Sequence, residues 1–519
     1  MKYATTSEKV KQLDRKAVEE WGIASPVLME NAGRSAVELI KEELSPLPNR
    51  ILVISGKGNN GGDGLVVARR LLDQGHQVEV FVLGERNELS PGAERNAEIL
   101  ERMTEKVRYC QPDYEGLFRE IDSNPPLLVD AIFGIGIEGE LRGKYPQLIS
   151  RINESEGRKV SIDIPSGLLA NSGVPAGKAV KADLTVTMEP YKLGTLLPEA
   201  QGFTGKQRLA SVGYPRRLIE EVPVIWRVLD DELARLLLPE RPIGGYKGSF
   251  GKMMVVGGSS GMTGAPILAT KAGLRSGAGL VFLAGPESVN EIFSTNVKEA
   301  LTVPLPDEDG AICSSSQGPL LEAAKDKDAL AVGPGLGRKE VTKETVRTLL
   351  DRFSGPIVLD ADGIVSLADD IEDLKGLEEV VLTPHPGELA YLLDTTPEKV
   401  NDERYDLVPK LAQTWKVTLL LKGIPTVISS PAGELALASC PNTGLAKGGS
   451  GDVLTGIIGS FLAQGLSPFS AARLGAWVHC KIGELGAKKW GVDSLQPGDL
   501  PDLIGSVLMN WRASKEWSM

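Results

Sequence analysis

Two stretches decide how this chain folds: Ile51-Leu-Val-Ile-Ser-Gly-Lys-Gly-Asn-Asn-Gly-Gly-Asp-Gly64 and Asn442-Thr-Gly-Leu-Ala-Lys-Gly-Gly-Ser-Gly-Asp-Val453. Each is a glycine-rich loop that follows a β-like run and opens into a helix. Backbone without side chains, turned into a helix N-terminus, presents unpaired N–H groups and the positive end of the helix dipole to an anion. Two such loops of different sequence predict two sites for phosphate-bearing ligands, and hence a bifunctional enzyme that handles nucleotides.

The chain is 519 residues long, beyond the size at which one hydrophobic core stops growing, so two or more domains are expected. Glycine is enriched, at 59 residues, but scattered between apolar runs without a period, which favours α/β architecture over collagen-like or low-complexity sequence. A net charge of −12 argues against non-specific nucleic-acid binding. Cys110, Cys313, Cys440 and Cys480 form no CxxC pair, so neither zinc nor a disulfide framework is expected. The first residues lack a signal peptide's apolar core, and Val453 to Leu466 is too short to span a bilayer. A cytoplasmic protein that engages neither nucleic acid nor membrane is expected, with a homo-oligomeric assembly.

Residues 7 to 43 read as two helices, with Ser7 a cap of the first and Ser25-Pro26 the start of the second. From Arg50, strand candidates alternate with helical stretches: Arg50–Ser55, Val78–Leu83, Pro126–Ala131, Arg158–Ile164 and Asp183–Met188. That alternation implies a parallel sheet covered by helices on both faces. A mixed stretch from Gly213 to Pro242 interrupts it. The pattern restarts at Lys252–Gly257 and continues through Gly279–Ala284, Ala329–Gly333, Pro356–Asp360, Val380–Thr383, Val417–Lys422 and Thr426–Ser429. Two apolar helices, Asp452–Gln464 and Pro468–Lys488, follow. The expected division is 1–222 and 223–519.

In the first half, Gly56 to Gly61 satisfies the dinucleotide fingerprint GxGxxG, but Asn59, Asn60 and Asp63 crowd polar side chains into the turn. No acidic residue clearly ends the next strand to hold a ribose. Amide and carboxylate oxygens there suit a hard cation as well as a phosphate. Three more loops fall at strand ends: Asp130 to Glu140, Asp163-Ile-Pro-Ser-Gly167 and Glu189-Pro-Tyr-Lys192. An apolar strand delivers Asp163 to the binding edge. Asn59-Asn-Gly-Gly-Asp-Gly64, Asp130-Ala-Ile-Phe-Gly-Ile-Gly136, Asp163-Ile-Pro-Ser-Gly167 and Leu28-Met-Glu-Asn-Ala-Gly33 together resemble the epimerase domain of the NAD(P)H-hydrate repair family. The resemblance covers residues 1 to about 220 and implies a Rossmann-like three-layer domain with a parallel sheet. It implies interconversion of the R and S hydrates NADHX and NADPHX, formed when water adds to the nicotinamide ring. By the same resemblance, Asn59, Asn60, Gly61, Gly62 and Asp63 line the hydrate's site with Gly134, Ile135, Gly136, Ile137, Glu138, Gly139 and Glu140. Asn60, Asp130 and Ser166 would hold a potassium ion, and Asp163 would contact the ligand. Epimerising the hydroxyl-bearing carbon needs a proton shuttle, for which Asp163 is the candidate.

In the second half, Gly449-Ser-Gly-Asp452 opens an apolar helix. Its N-terminus suits an anion, and Asp452 can accept a hydroxyl's proton during phosphoryl transfer. This resembles the Gly-Xaa-Gly-Asp element of ribokinase-like enzymes. Lys247-Gly-Ser-Phe-Gly-Lys252, Val256 to Ala265, Val332-Gly-Pro-Gly-Leu-Gly337, Thr383-Pro-His-Pro-Gly-Glu388 and Leu421-Lys-Gly-Ile-Pro-Thr426 accompany it. The set resembles the dehydratase domain of the same repair family, a ribokinase-like α/β fold, over about residues 225 to 515. That likeness implies conversion of the S hydrate to NAD(P)H at the expense of ADP; Mg2+ is expected at the nucleotide, whose phosphates need charge neutralisation. Ala265, Gly335, His385 and Asp452 would contact the hydrate. Lys422, Gly423, Ile424, Pro425 and Thr426 would contact the nucleotide, with Thr443, Gly444, Lys447, Gly448, Gly449, Ser450 and Gly451. Absence of GxxxxGK[ST] argues against a P-loop NTPase. The rival readings are a ribokinase-like kinase with an accessory N-domain, and an N-domain that only senses nucleotide.

Overall fold

The computed structural model describes residues 2–110, 114–123, 125–222, 225–367 and 379–516. The chain divides into two compact units, one ending at Trp226 and the other running from Arg227. The division expected after Val222 falls beside residues 223–224, which lie outside the described residues.

The first unit's strands are β1 (Lys2–Thr5), β2 (Arg50–Ser55), β3 (Gln77–Leu83), β4 (Val107–Cys110), β5 (Leu127–Ala131), β6 (Arg158–Ile162), β7 (Leu184–Met188), β8 (Tyr191–Lys192) and β9 (Lys206–Ala210). Seven of them make an all-parallel sheet in the order β4-β3-β2-β5-β6-β7-β9. Strands β2 and β5 are buried along nearly their whole length, as expected where helices cover both faces. The helix Ser7–Glu19 turns Val10, Leu13 and Ala17 inward at helical spacing, and Ser25–Glu43 adds Leu28, Ala32, Ala36 and Ile40 to the same core. Ser7 is the first helical residue rather than the cap, which is Thr6. The helix after β2 spans Asn59–Asp73, so the glycine-rich turn forms its first turn as well as the loop before it.

Strand order reverses between β2 and β5. A crevice opens at such a switch point because the two connections leave in opposite directions. The loops after Ser55 and after Ala131 border it.

The second unit has β10 (Trp226–Val228), β11 (Lys252–Val256), β12 (Leu280–Pro286), β13 (Leu301–Leu305), β14 (Asp307–Glu308), β15 (Ala311–Ile312), β16 (Ala329–Val332), β17 (Ile357–Leu359), β18 (Val380–Leu382), β19 (Thr418–Leu421), β20 (Thr426–Ser429) and β21 (Leu435–Ala438). The order is β13-β12-β11-β16-β17-β18-β19-β20-β21-β10, parallel as far as β19 and then antiparallel through β20 to β21. Its switch point lies between β11 and β16. The helix Ser450–Ala463 is buried on almost every side against Gly264–Arg275 and Pro468–Trp490. Each unit thus has the layered α/β architecture that the alternating pattern predicts.

The cysteine expectation fails. Cys440, just beyond β21, and Cys480, on the helix Pro468–Trp490, form a disulfide with Cα atoms 5.7 Å apart. Forty residues separate them in sequence, so no local spacing announces the pair; the packing of that helix beside the sheet brings them together. Cys110 and Cys313 take no part in a disulfide among the described residues.

Candidate functional sites

The first unit holds a cavity of about 510 Å3 at its switch point. Asn59, Asn60 and Asp63 line it, with Gly134, Ile135, Gly136, Ile137 and Asp163. Gly61 and Gly62 are packing positions instead. A Cβ on Gly61 would fall 2.0 Å from the Gly56 carbonyl oxygen, and one on Gly62 would strike Met29. Glu138, Gly139 and Glu140 sit exposed at the loop's far end, outside the cavity wall.

Asp163 directly follows β6 with φ +67°, a left-handed backbone that aspartate tolerates better than most residues. Its N–H donates to the Val186 carbonyl, and Oδ1 accepts from Met188 N at 3.1 Å and from Lys192 Nζ. Lys192 is 1% exposed and donates also to the Met188 carbonyl at 2.8 Å. A buried ammonium demands a buried carboxylate partner, and this one faces the cavity. Lys192 stands in the strand-end tetrapeptide Glu189 to Lys192, where sequence alone gave it no role.

Asp130 and Ser166 are brought together. Asp130 Oδ1 accepts from Ser166 Oγ at 2.5 Å, while Oδ2 accepts from Ser166 N at 2.9 Å and Ser161 Oγ at 2.8 Å. Burial pushes the Asp130 carboxyl up, against these hydrogen bonds. Both side-chain polar atoms of Asn60 are buried without a hydrogen-bond partner. Such orphaned groups call for a ligand or ion. A Cβ on Gly134 would lie 3.2 Å from Asn60 Cβ and 3.3 Å from Asp163 Oδ2, so Asn60 and Asp163 flank that glycine.

In the second unit, the helix Ser450–Ala463 carries Asp452 in its first turn, after Gly449 in left-handed conformation. Around it, side chains from four elements form one connected network. Lys422, after β19, places Nζ 2.7 Å from Asp360 Oδ1 and 3.7 Å from Glu388 Oε2. Asp360 follows β17, is 1% exposed, and accepts from Thr455 Oγ1 at 2.7 Å through its other oxygen. Glu388 Oε1 lies 3.1 Å from His385 Nε2. His385 Nδ1 accepts from Gly387 N, capping the helix Pro386–Leu392. Burial, the Asp360 charge and more weakly Glu388 push the Asp452 carboxyl up to about 7, against the pull of Lys422. Sequence placed Asp360 at a strand end but not in the site.

The other expected residues divide. A Cβ on Gly335, at φ +66°, would come 3.3 Å from Ala265 Cβ, so these two neighbour each other. One on Gly451 would come 3.2 Å from Lys422 Nζ, leaving little room above the lysine. The buried Ser450 hydroxyl has no partner. Thr443 and Gly444 form a short 3-10 turn that Asn442 caps, and Gly448 faces open space. Lys447, in contrast, is committed to the carbonyls of Asp493 and Leu495, both at 2.6 Å. Gly423 lies against Arg404, whose guanidinium donates to the Pro425 carbonyl at 2.9 Å. Ile424 precedes that proline, and Thr426 Oγ1 donates back to the Gly423 carbonyl at 3.1 Å.

Residues 25–194 match the family described as YjeF-related protein N-terminus, and residues 253–505 match the family described as NAD(P)H-hydrate dehydratase. The bifunctional NAD(P)H-hydrate repair enzyme of Moorella thermoacetica is 41% identical over 98% of this chain and 97% of its own length. That of Salinibacter ruber is 36% identical over 97% and 95%. Among solved structures, an ADP/ATP-dependent NAD(P)H-hydrate dehydratase from Bacillus subtilis, co-crystallised with ATP/Mg2+, is 27% identical. The match covers 55% of this chain and 99% of that one, with a TM-score of 0.47. With two α/β units, each with a candidate site, and relatives at 36% and 41% identity matched over nearly their whole length, this chain belongs to the family of bifunctional NAD(P)H-hydrate repair enzymes.

Proposed function

We propose that the first unit interconverts the R and S hydrates of NADH and NADPH, and that the second dehydrates the S form at the expense of ADP. One observation carries this reading: each unit sets a lysine beside an aspartate of its own candidate site, Lys192 on Asp163 and Lys422 on Asp360 beneath Asp452.

In the first unit, Asp163 exchanges a proton with the hydrate's hydroxyl as that group leaves and returns, and Lys192 fixes the direction of the carboxylate. Asn60, Asp130 and Ser166 would hold potassium; the orphaned Asn60 amide and the buried Asp130 carboxyl suit a hard cation. Bound there, the ion would supply fixed positive charge beside the cavity.

In the second unit, Asp452 takes the hydrate's hydroxyl proton as the oxygen accepts the terminal phosphoryl group of ADP, leaving AMP. The ring-nitrogen lone pair then expels phosphate, and a proton leaves the neighbouring carbon to restore the double bond. Hydroxide leaves poorly and phosphate well, which accounts for the nucleotide. The backbone around Ser450 and Gly451 receives phosphate at the helix N-terminus. Asp360, Glu388 and Asp452 outnumber Lys422, an oxygen-rich set that suits magnesium, which would neutralise the nucleotide's phosphates.

The test is incubation with mixed R and S hydrates and ADP. Complete recovery of reduced cofactor with stoichiometric AMP and phosphate is expected. A stable phosphorylated product would instead establish a small-molecule kinase.

A further inference from the structure

The cavity of the first unit contains a second set of proton-carrying groups that no assignment above uses. Asp14 reaches it from the helix Ser7–Glu19, and Tyr214 from the segment after β9; both line the same cavity as Asp163 and Lys192. Tyr214 Oη lies 2.5 Å from Asp14 Oδ1 and is itself almost fully buried. Asp14 is open to the cavity, where a ligand can reach it.

We propose that Asp14, oriented by Tyr214, is the second catalytic carboxyl of the epimerase, the proton donor that works with Asp163 as acceptor. The inference rests on the reading of Asp163 as a proton acceptor. Lys192 Nζ is ion-paired with Asp163 and donates to its Oδ1, so Asp163 meets the cavity as a hydrogen-bond acceptor. Tyr214 donates to one oxygen of Asp14 and leaves the other free to carry a proton toward the cavity. Burial, which pushes the Tyr214 hydroxyl far up, keeps it a donor. Desolvation by the cavity walls pushes the Asp14 carboxyl up, with a smaller push from the Asp163 charge, while Tyr214 and Lys192 pull it down. Two carboxyls in one cavity, one paired with a buried lysine and the other hydrogen-bonded to a tyrosine, have the differing environments that separate acid from base.

The step balances without a further reactant. Asp14 gives its proton to the hydroxyl oxygen of the hydrate. The C–O bond breaks with its electron pair on oxygen, water departs, and the ring-nitrogen lone pair forms a C=N+ bond. Water adds to the other face of that carbon and gives a proton to Asp163. The opposite epimer results, and one proton has moved from Asp14 to Asp163. Running the sequence backwards, or exchange with solvent, resets the pair.

The groups facing Asp14 are Tyr214, Asp163, Lys192, Asp63 on the helix Asn59–Asp73, and Lys11 on its own helix. They set the test. Epimerase pH profiles are recorded for wild type, Asp14→Asn, Asp14→Glu, Asp63→Asn and Tyr214→Phe, in H2-18O. Urea denaturation followed by a probe in the first unit reports correct folding of each variant. Asp14→Asn is expected to lose at least about 100-fold in kcat/KM, within the range for general acid catalysis, and Asp14→Glu to regain part of it. The wild-type rate should fall at high pH as the acid is lost. Because Tyr214 stabilises the ionised form, Tyr214→Phe should move that fall to higher pH. Solvent oxygen should enter the hydrate once per inversion.

Epimerisation that outruns oxygen exchange overturns the inference. So does a high-pH fall that survives in Asp14→Asn but vanishes in Asp63→Asn. Asp163→Asn separates the inference from its foundation: loss there with full activity in Asp14→Asn overturns the inference alone. Full activity in Asp163→Asn overturns both.

Discussion

Lys422 and Asp360 meet at 2.7 Å across 62 residues of sequence, and Thr455 ties the same carboxylate to the helix that bears Asp452. The ion pair therefore joins the ends of two neighbouring regions of the sheet to the proposed phosphate-binding turn. Its charges act on Asp452 with opposite signs.

The first prediction concerns pH. Asp452 must be ionised to accept a proton, and its carboxyl is held up to about 7, so dehydration should decline as pH falls through that value. Asp360→Asn removes a negative charge and should move the decline to lower pH. Lys422→Met removes the opposing positive charge and should move it higher. A profile unchanged in both variants would show that neither charge reaches Asp452.

Asp452→Asn should reduce dehydration by about 10²–10⁴-fold while epimerisation continues. The comparison requires only one preparation and two assays. Retention of more than a tenth of wild-type turnover would remove the general-base role.

Lys192→Met should destabilise the first unit by about 3–5 kcal/mol, because it leaves the carboxylate of Asp163 buried and uncompensated. The double variant Lys192→Met/Asp163→Asn should recover part of that loss. Urea denaturation followed by a probe in the first unit measures both. Equal stability of the single and double variants would mean the pair is not coupled.

Potassium should support epimerisation better than sodium, and Asn60→Ala should abolish the difference. The motive is the buried Asn60 amide that lacks a partner. Equal rates in potassium, sodium and a bulky organic cation would take the ion out of the reaction.

Local sequence was enough for the architecture. Apolar runs such as Ile51 to Ile54 and Leu127 to Val129, bounded by turn residues, read as strands covered on both faces, and the glycines after Ser55 turn the chain into the helix Asn59–Asp73. Such signals lie within a few residues of each other, so no tertiary knowledge is needed to read them. Asp163 and Asp452 were legible for the same reason: each directly follows or opens a strongly patterned element. Edge strands were not. In β4 and β9 most positions are partly or fully exposed, so no apolar pattern marks them. Tertiary structure alone decided which partners these aspartates received. Lys192 reaches Asp163 across 29 residues, Tyr214 reaches Asp14 across 200, and Cys440 finds Cys480 across 40. A lysine or tyrosine in sequence reads the same whether solvated or buried; only packing removes the water and leaves a single carboxylate to pair with.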